Sequence, residues 1–182
     1  NVALAAESDA WLEYLPQETI LFDGAKLART TSVDAMPGSQ VLAGEIIVFG
    51  RRGSGESFRN GFFRESWRVR LDNRLTWADT LLLNDPKNGA LHHPAGFDGA
   101  VAMATAIYLG PDASMHLDLA RNLISCTGDL VKSSATIVNG VLVIRFLGRE
   151  TFSLRTAFGL FWQNFRHGVS GLPAKMPRLW EM

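Results

Sequence analysis

Apolar and β-branched residues occur along this chain in short runs, and turn residues interrupt them at short intervals. Ile20-Leu21-Phe22 stops at Asp23-Gly24, a strong turn pair. Lys26 to Val33 alternates loosely and ends near Met36-Pro37-Gly38-Ser39. Val41 to Phe49 is almost wholly apolar and reads as a buried strand. Phe58 to Leu71 has a strand pattern crossed by arginines, and Asp72-Asn73 predicts a hairpin back into Arg74 to Leu83. Asn84 to Gly99, with its prolines, glycines and histidines, reads as loop. Ala100 to Leu109 fits a strand or a helix, because alanine favours neither clearly. Asn139-Gly140, between Ala135–Val138 and Val141–Leu147, is the strongest hairpin signal.

Two stretches carry a helical period. Met115, Leu119 and Leu123 recur every four residues after Asp112, a candidate N-cap. Phe158, Phe161, Trp162 and Phe165 form a wide aromatic stripe within a helix expected over Thr151 to Arg166, with Gly168 and Gly171 ending it. The expected fold is mainly β, with helix-like stacking of strands and two α-helices near the C-terminus.

Composition narrows the function classes. A chain of 182 residues suits one domain, 1–182. Eighteen basic residues balance eighteen acidic ones, so no net field favours nucleic acid or an anionic membrane. No apolar run reaches the length of a membrane span, and no secretory signal is visible. The single cysteine, Cys126, leaves no intrachain disulfide and fits a reducing, cytoplasmic setting.

Glu45 and Asp79 are the first candidate site residues. Each stands among strand-forming apolar residues, where a carboxylate must be paired, hydrated or bound to a cation. The structural alternative is a salt bridge to Arg51, Arg68 or Arg70. Glu18 is a third acidic candidate, while Asp23 before Gly24 reads as a turn former. His92 and His93 are adjacent, so on a strand they would point to opposite faces, and they are at most weak metal ligands. Cys126 has no ligand residue beside it. Gly50 to Glu56 lacks the Lys-Ser/Thr ending of a phosphate-binding loop, and Gly53-Ser54-Gly55 is too tight for a nucleophile elbow. No nucleophile–base–acid set stands out. Trp162 and Arg166, with Arg178 and Trp180 in the tail, are candidates for an exposed partner-binding edge, although an aromatic helix stripe is usually core.

The stretch Leu15-Pro16-Gln17-Glu18-Thr19-Ile20-Leu21-Phe22-Asp23-Gly24-Ala25 resembles a signature of the urease accessory proteins called UreD, or UreH in some organisms. Glu45 to Arg51, Trp67 to Asp79 and Leu172 to Trp180 resemble the same family in the same order. The resemblance runs from about Leu12 to the end. It implies a non-enzymatic scaffold that binds apo-urease and UreF and meets the GTPase UreG through UreF. It also implies an internal passage for transient nickel, lined in part by Glu45, Asp79 and Glu18, with no tightly bound cofactor. The C-terminal part would then help to dock UreF. UreD-like proteins carry a further N-terminal segment before the signature, so this chain is expected to correspond to roughly their last two thirds. Two other readings account for the residues without the family. One is a small hydrolase with a Ser or Asp nucleophile. The other is an all-β ligand-binding module that exposes Trp67 and Trp77 on one face.

Overall fold

The computed structural model describes residues 1–86, 89–125 and 128–180. Ten strands form two sheets among the described residues, and two α-helices pack on one of them. The first strands are β1 (Val2–Ala6), β2 (Trp11–Tyr14), β3 (Thr19–Leu21), β4 (Lys26–Ala35), β5 (Gln40–Phe49) and β6 (Phe62–Leu71). They pass back and forth between the sheets. β1, β4 and β6 lie parallel in one sheet, while β2 and β3 both pair parallel with β5 in the other. This is the helix-like stacking of strands expected from the sequence. Apart from β2 to β3, each step from β1 to β6 crosses from one sheet to the other, so no crossover helix is needed.

The rest is antiparallel. β7 (Arg74–Asn84) closes the four-stranded sheet, in the order β1-β4-β6-β7. β8 (Ala102–Leu109), β9 (Val131–Val138) and β10 (Val141–Gly148) complete the larger sheet, in the order β2-β5-β8-β10-β9. Both predicted hairpins form. Asp72 and Asn73 have φ of 51° and 61°, and Asn139 and Gly140 have 47° and 81°, as a tight hairpin turn requires. Most of the ambiguous Ala100–Leu109 segment, from Ala102 on, is a strand, because it lies between β5 and β10 and is buried on both faces.

Alternation sorts the larger sheet into two faces. On β5, Leu42, Ile46 and Val48 face α1 (Leu117–Ile124) and α2 (Thr151–Ser170). Val41, Ala43, Ile47 and Phe49 face the four-stranded sheet. The molecule is therefore layered as sheet, sheet, helices. The aromatic stripe of α2 is core, as expected, with Phe158, Phe161, Trp162 and Phe165 all buried. Gly44 makes this packing possible: a Cβ there would come within 2.8 Å of the Trp162 ring and 3.0 Å of the Thr105 carbonyl.

Three details of the helices depart from expectation. α2 runs through Gly168, whose missing Cβ leaves room for the Leu119 side chain of α1, and ends at Gly171 with φ of 70°. α1 starts only at Leu117, and Met115 in the preceding turn is 80% exposed. Asp112 makes no cap hydrogen bond, because its carboxylate accepts one from Tyr108 Oη (3.0 Å) and pairs with His116 (2.7 Å). Among the described residues no helix is long and apolar enough to cross a membrane.

Candidate functional site

Two apolar clusters fill the space between the sheets. One is built around Trp67, Val69 and Ile107, the other around Phe49, Phe63 and Met103. Between them lies a layer of buried polar side chains. Glu45 of β5 and Glu65 of β6 are only 2% and 4% exposed. Alternation puts them there: Glu45 has the inward phase of Ala43 and Ile47, and Glu65 that of Phe63 and Trp67. The Arg29 guanidinium lies between the two carboxylates and pairs with both. Parallel pairing of β4 with β6 sets Arg29 directly beside Glu65. Thr31 donates to Glu45 Oε1 (2.9 Å), and Arg29 donates to Thr19 Oγ1 (2.9 Å).

Two carboxylates share one cation here, and Glu45 responds. Its carboxyl is pushed up to about 8, first by burial and then by its hydrogen bond to Glu65 and the charge of that neighbour. The Tyr14 phenol at the same layer is also raised, by burial first and then by Glu45. Trp67 Nε1 is buried without a hydrogen-bond partner, and Glu45 Oε2 touches the guanidinium outside hydrogen-bond geometry.

The raised Glu45 pKa gives a stability prediction. The folded chain keeps the Glu45 proton above the ordinary value of 4.5, where the unfolded chain has lost it. The resulting stabilisation is full below that value and disappears as pH rises through about 8. Glu45→Gln imitates the protonated carboxyl and should remove this dependence. Urea midpoints of the wild type should therefore fall relative to Glu45→Gln between about pH 5 and about pH 8.5. A constant difference across that window would contradict the assignment.

The polar layer continues toward the edge of the larger sheet. Glu45 lies opposite Thr105 of β8, and Thr105 lies opposite Arg145 of β10, all on one face. Arg145 reaches across to Asp79 of β7 (2.6 Å), which is one-third exposed. There the layer meets a cavity of about 380 Å³, lined by Leu81, Phe97, Met103, Ser134, Arg145 and Phe146 among others. Glu45 and Asp79 thus belong to one row of side chains, buried at one end and open at the other.

The structure assigns different places to the other sequence candidates. Glu18 does not join this row. It alternates with Thr19, so Thr19 turns inward to Arg29 while Glu18 turns out to Arg155 of α2 (2.5 Å). Glu45 does form a salt bridge, but with Arg29, since Arg51 pairs with Glu56 and Arg70 with Asp34. Asp23 is more than a turn former. It accepts the backbone N–H groups of Arg59 (2.9 Å) and Asn60 (2.7 Å), which hold its carboxyl below the ordinary range. Trp162 is buried and donates to Glu13 (3.2 Å), so its ring belongs to the core and not to an exposed edge. Arg166 is also turned inward, pairing with Glu13 and donating to the Pro173 and Lys175 carbonyls. Trp180 is half-buried, stacked on Phe158 beneath the Arg155 guanidinium, and Arg178 is exposed.

His92 and His93 are exposed in the loop after β7, and His93 Nδ1 accepts from the Ala95 N–H (3.1 Å). Among the described residues no group of three or more His, Cys, Asp or Glu is placed to hold a metal. Cys126 lies outside the described residues. Trp67 and Trp77 are buried against each other (6.3 Å between centroids), which removes the exposed aromatic face that a ligand-binding module would need. His116 is bonded to Asp112 and flanked by Tyr108 and Phe165, and no serine hydrogen-bonds to a histidine among the described residues. No Ser–His–acid set of the kind the hydrolase reading needs is assembled among the described residues.

Neither Arg29 nor Glu65 stands out in the amino-acid sequence. Their signal was phase: each interrupts an inward-facing series, Leu27-x-Arg29-x-Thr31-x-Val33 and Phe63-x-Glu65-x-Trp67-x-Val69.

Comparison with known proteins finds relatives across the chain. The family model described as UreD urease accessory protein matches residues 1–181. A urease accessory protein UreD of Magnetococcus marinus is 42% identical over 185 residues, covering 100% of this chain and 64% of that protein. One from Methylobacterium sp. (strain 4-46) is 41% identical over 175 residues, covering 94% of the chain and 60% of the relative. One from Granulibacter bethesdensis is 38% identical, covering 97% and 72%. The chain spans somewhat under two thirds of the first two relatives. It belongs to the UreD family of urease accessory proteins.

Proposed function

We propose that this chain is part of a cytoplasmic scaffold for urease maturation that binds apo-urease and UreF and conveys nickel received from UreG through UreF. The observation that carries this reading is the buried Glu45–Glu65 pair, continued by Thr105, Arg145 and Asp79 to an open cavity. Nickel here is cargo. Carboxylate and hydroxyl oxygens bind a divalent transition ion less tightly than thiolates or imidazoles do, so an ion held by them can leave again. Glu45 Oε2 accepts no hydrogen bond and lies against the Arg29 guanidinium, so an arriving cation would have to displace that contact and the carboxyl proton to use it. Arg29 balances part of the negative charge and keeps the two carboxylates in place without an ion.

The helical layer supplies the UreF surface in this reading. Trp162 and Arg166 are not available for it, but the outer side of α2 is. Phe152 and Leu160 are 76% and 53% exposed on that side, and each of the two grooves beside them, of about 540 and 370 Å³, is lined by both residues. One groove continues to Leu123, the other to Met176 and Trp180. Exposed apolar side chains flanked by grooves suit an amphipathic helix from a partner.

The test is capture of purified UreF and apo-urease by the full-length protein. Phe152→Glu combined with Leu160→Glu should reduce UreF capture roughly tenfold or more, the scale of losing one or two interface anchors. Both side chains are exposed, so the melting temperature should hold. Undiminished capture would remove α2 from the interface, and failure of the wild type to capture either partner would remove the scaffold reading.

A further inference from the structure

The outward face of the four-stranded sheet lies on the opposite side of the molecule from the helices. Its central strand, β6, presents Arg64, Ser66, Arg68 and Arg70 in that phase. Arg70 is paired with Asp34 (3.4 Å). Arg64 and Arg68 are exposed and make no ion pair or hydrogen bond among the described residues. Their neighbours across the sheet are short or apolar. Arg64 stands between Ala28 and Leu82, and Arg68 between Ser32 and Ala78. Thr80 and Ser66 bond to each other (3.1 Å) between the two arginines, and β1 adds Ala3 and Ala5 at the margin. The result is a flat surface from which two uncommitted guanidinium groups project, roughly 13 Å apart at strand spacing. Its area is roughly 500–600 Å² at ordinary strand dimensions. That approaches the roughly 800 Å² per partner of a stable protein interface.

The geometry points to this face as the docking surface for an acidic protein partner, and, on the reading above, that partner is apo-urease. Charge selects the occupant. A second copy of the chain meeting the face across a two-fold axis would set arginine against arginine, and like charges facing each other at an interface disfavour it. Nucleic acid would require a denser run of cations than Arg64, Arg68 and the exposed Lys26 at the margin provide, in a chain with no net charge. Guanidinium groups match carboxylates through paired N–H donors, and short neighbours let another surface approach closely. UreF on the helices and urease on the opposite sheet would place the carboxylate row between the two partners.

The experiment uses the full-length protein with purified apo-urease and purified UreF as separate probes. Arg64→Glu combined with Arg68→Glu should weaken apo-urease capture roughly ten- to a hundredfold and leave UreF capture within about twofold. Arg64→Lys combined with Arg68→Lys should keep most of the binding. Wild-type capture of apo-urease should also fall between about 50 mM and about 500 mM salt, as screened exposed charges require. Unchanged apo-urease capture by the charge-reversed protein, or loss of UreF instead, would overturn the inference. Absence of apo-urease capture by the wild type would count against the scaffold reading itself. Melting temperatures of the variants separate a docking defect from misfolding, and a charge-reversed protein that melts well below the Lys variant overturns the assignment of the face to docking.

Discussion

Arg29→Met should be among the most destabilising single substitutions in this chain. Arg29 is the cation between two carboxylates that are almost completely removed from water. Removing one partner of a buried ion pair leaves charge without compensation and costs about 3–5 kcal/mol. With the Glu45 carboxyl held protonated near neutral pH, the charge left stranded is that of Glu65. For a chain of this size each kcal/mol lowers the melting temperature by roughly 2–4 °C, so a fall of roughly 6–20 °C is expected. Methionine keeps much of the apolar stem, which makes the missing charge the main difference. The control is Glu45→Gln with Glu65→Gln in the Arg29→Met background. It removes the stranded acids and should recover at least half of the loss. A cost below about 1 kcal/mol, the range of an exposed pair, would mean that water reaches the carboxylates in the folded protein.

How legible this was in the sequence depends on the range of each interaction. The β6–β7 and β9–β10 hairpins were readable because Asp72-Asn73 and Asn139-Gly140 prescribe their turns locally. The core side of α2 was readable because its four aromatics repeat at the helical period. The parallel pairings were not. β1 with β4 and β4 with β6 are each separated by a passage through the other sheet, and no local residue signals that return. The polar layer depends on those pairings. Arg29 read as one more cation in a loosely alternating segment until β4 lay beside β6 and brought it to Glu65. Glu45 stood out earlier because its own flanks are continuously apolar. For Glu18 the motif alone leaves two places open, a hydrogen-bonded turn or the same row. A single step of strand alternation hands that place to Thr19 and gives Glu18 to Arg155. The segment resembling the family signature thus serves both layers: Thr19 reaches the buried row, while Gln17 and Glu18 fasten the C-terminal tail and α2.

Glu45→Gln and Asp79→Asn should each lower urease activation roughly tenfold or more in cells whose only UreD is the variant, the scale on which metal handling responds to loss of a supporting group. The two act at different points of the row. Glu45→Gln replaces a carboxyl that the folded chain already holds protonated around neutral pH, so the fold should not be weakened while the proposed nickel ligand is lost. Asp79→Asn changes the open end. It removes a carboxylate and also leaves Arg145 without its 2.6 Å partner beside the cavity. An uncompensated cation there repels an arriving divalent ion. Arg145→Gln added to Asp79→Asn should therefore restore part of the activation that Asp79→Asn removes, although Arg145→Gln alone replaces a balanced ion pair with a bare carboxylate and should not improve on the wild type. Nickel content of the purified urease is the readout, with UreF and apo-urease capture measured on the same variants. Normal nickel loading in Glu45→Gln would exclude the buried pair from the route. Equal defects in Asp79→Asn with and without Arg145→Gln would show that the carboxylate, and not the freed guanidinium, governs entry at that end.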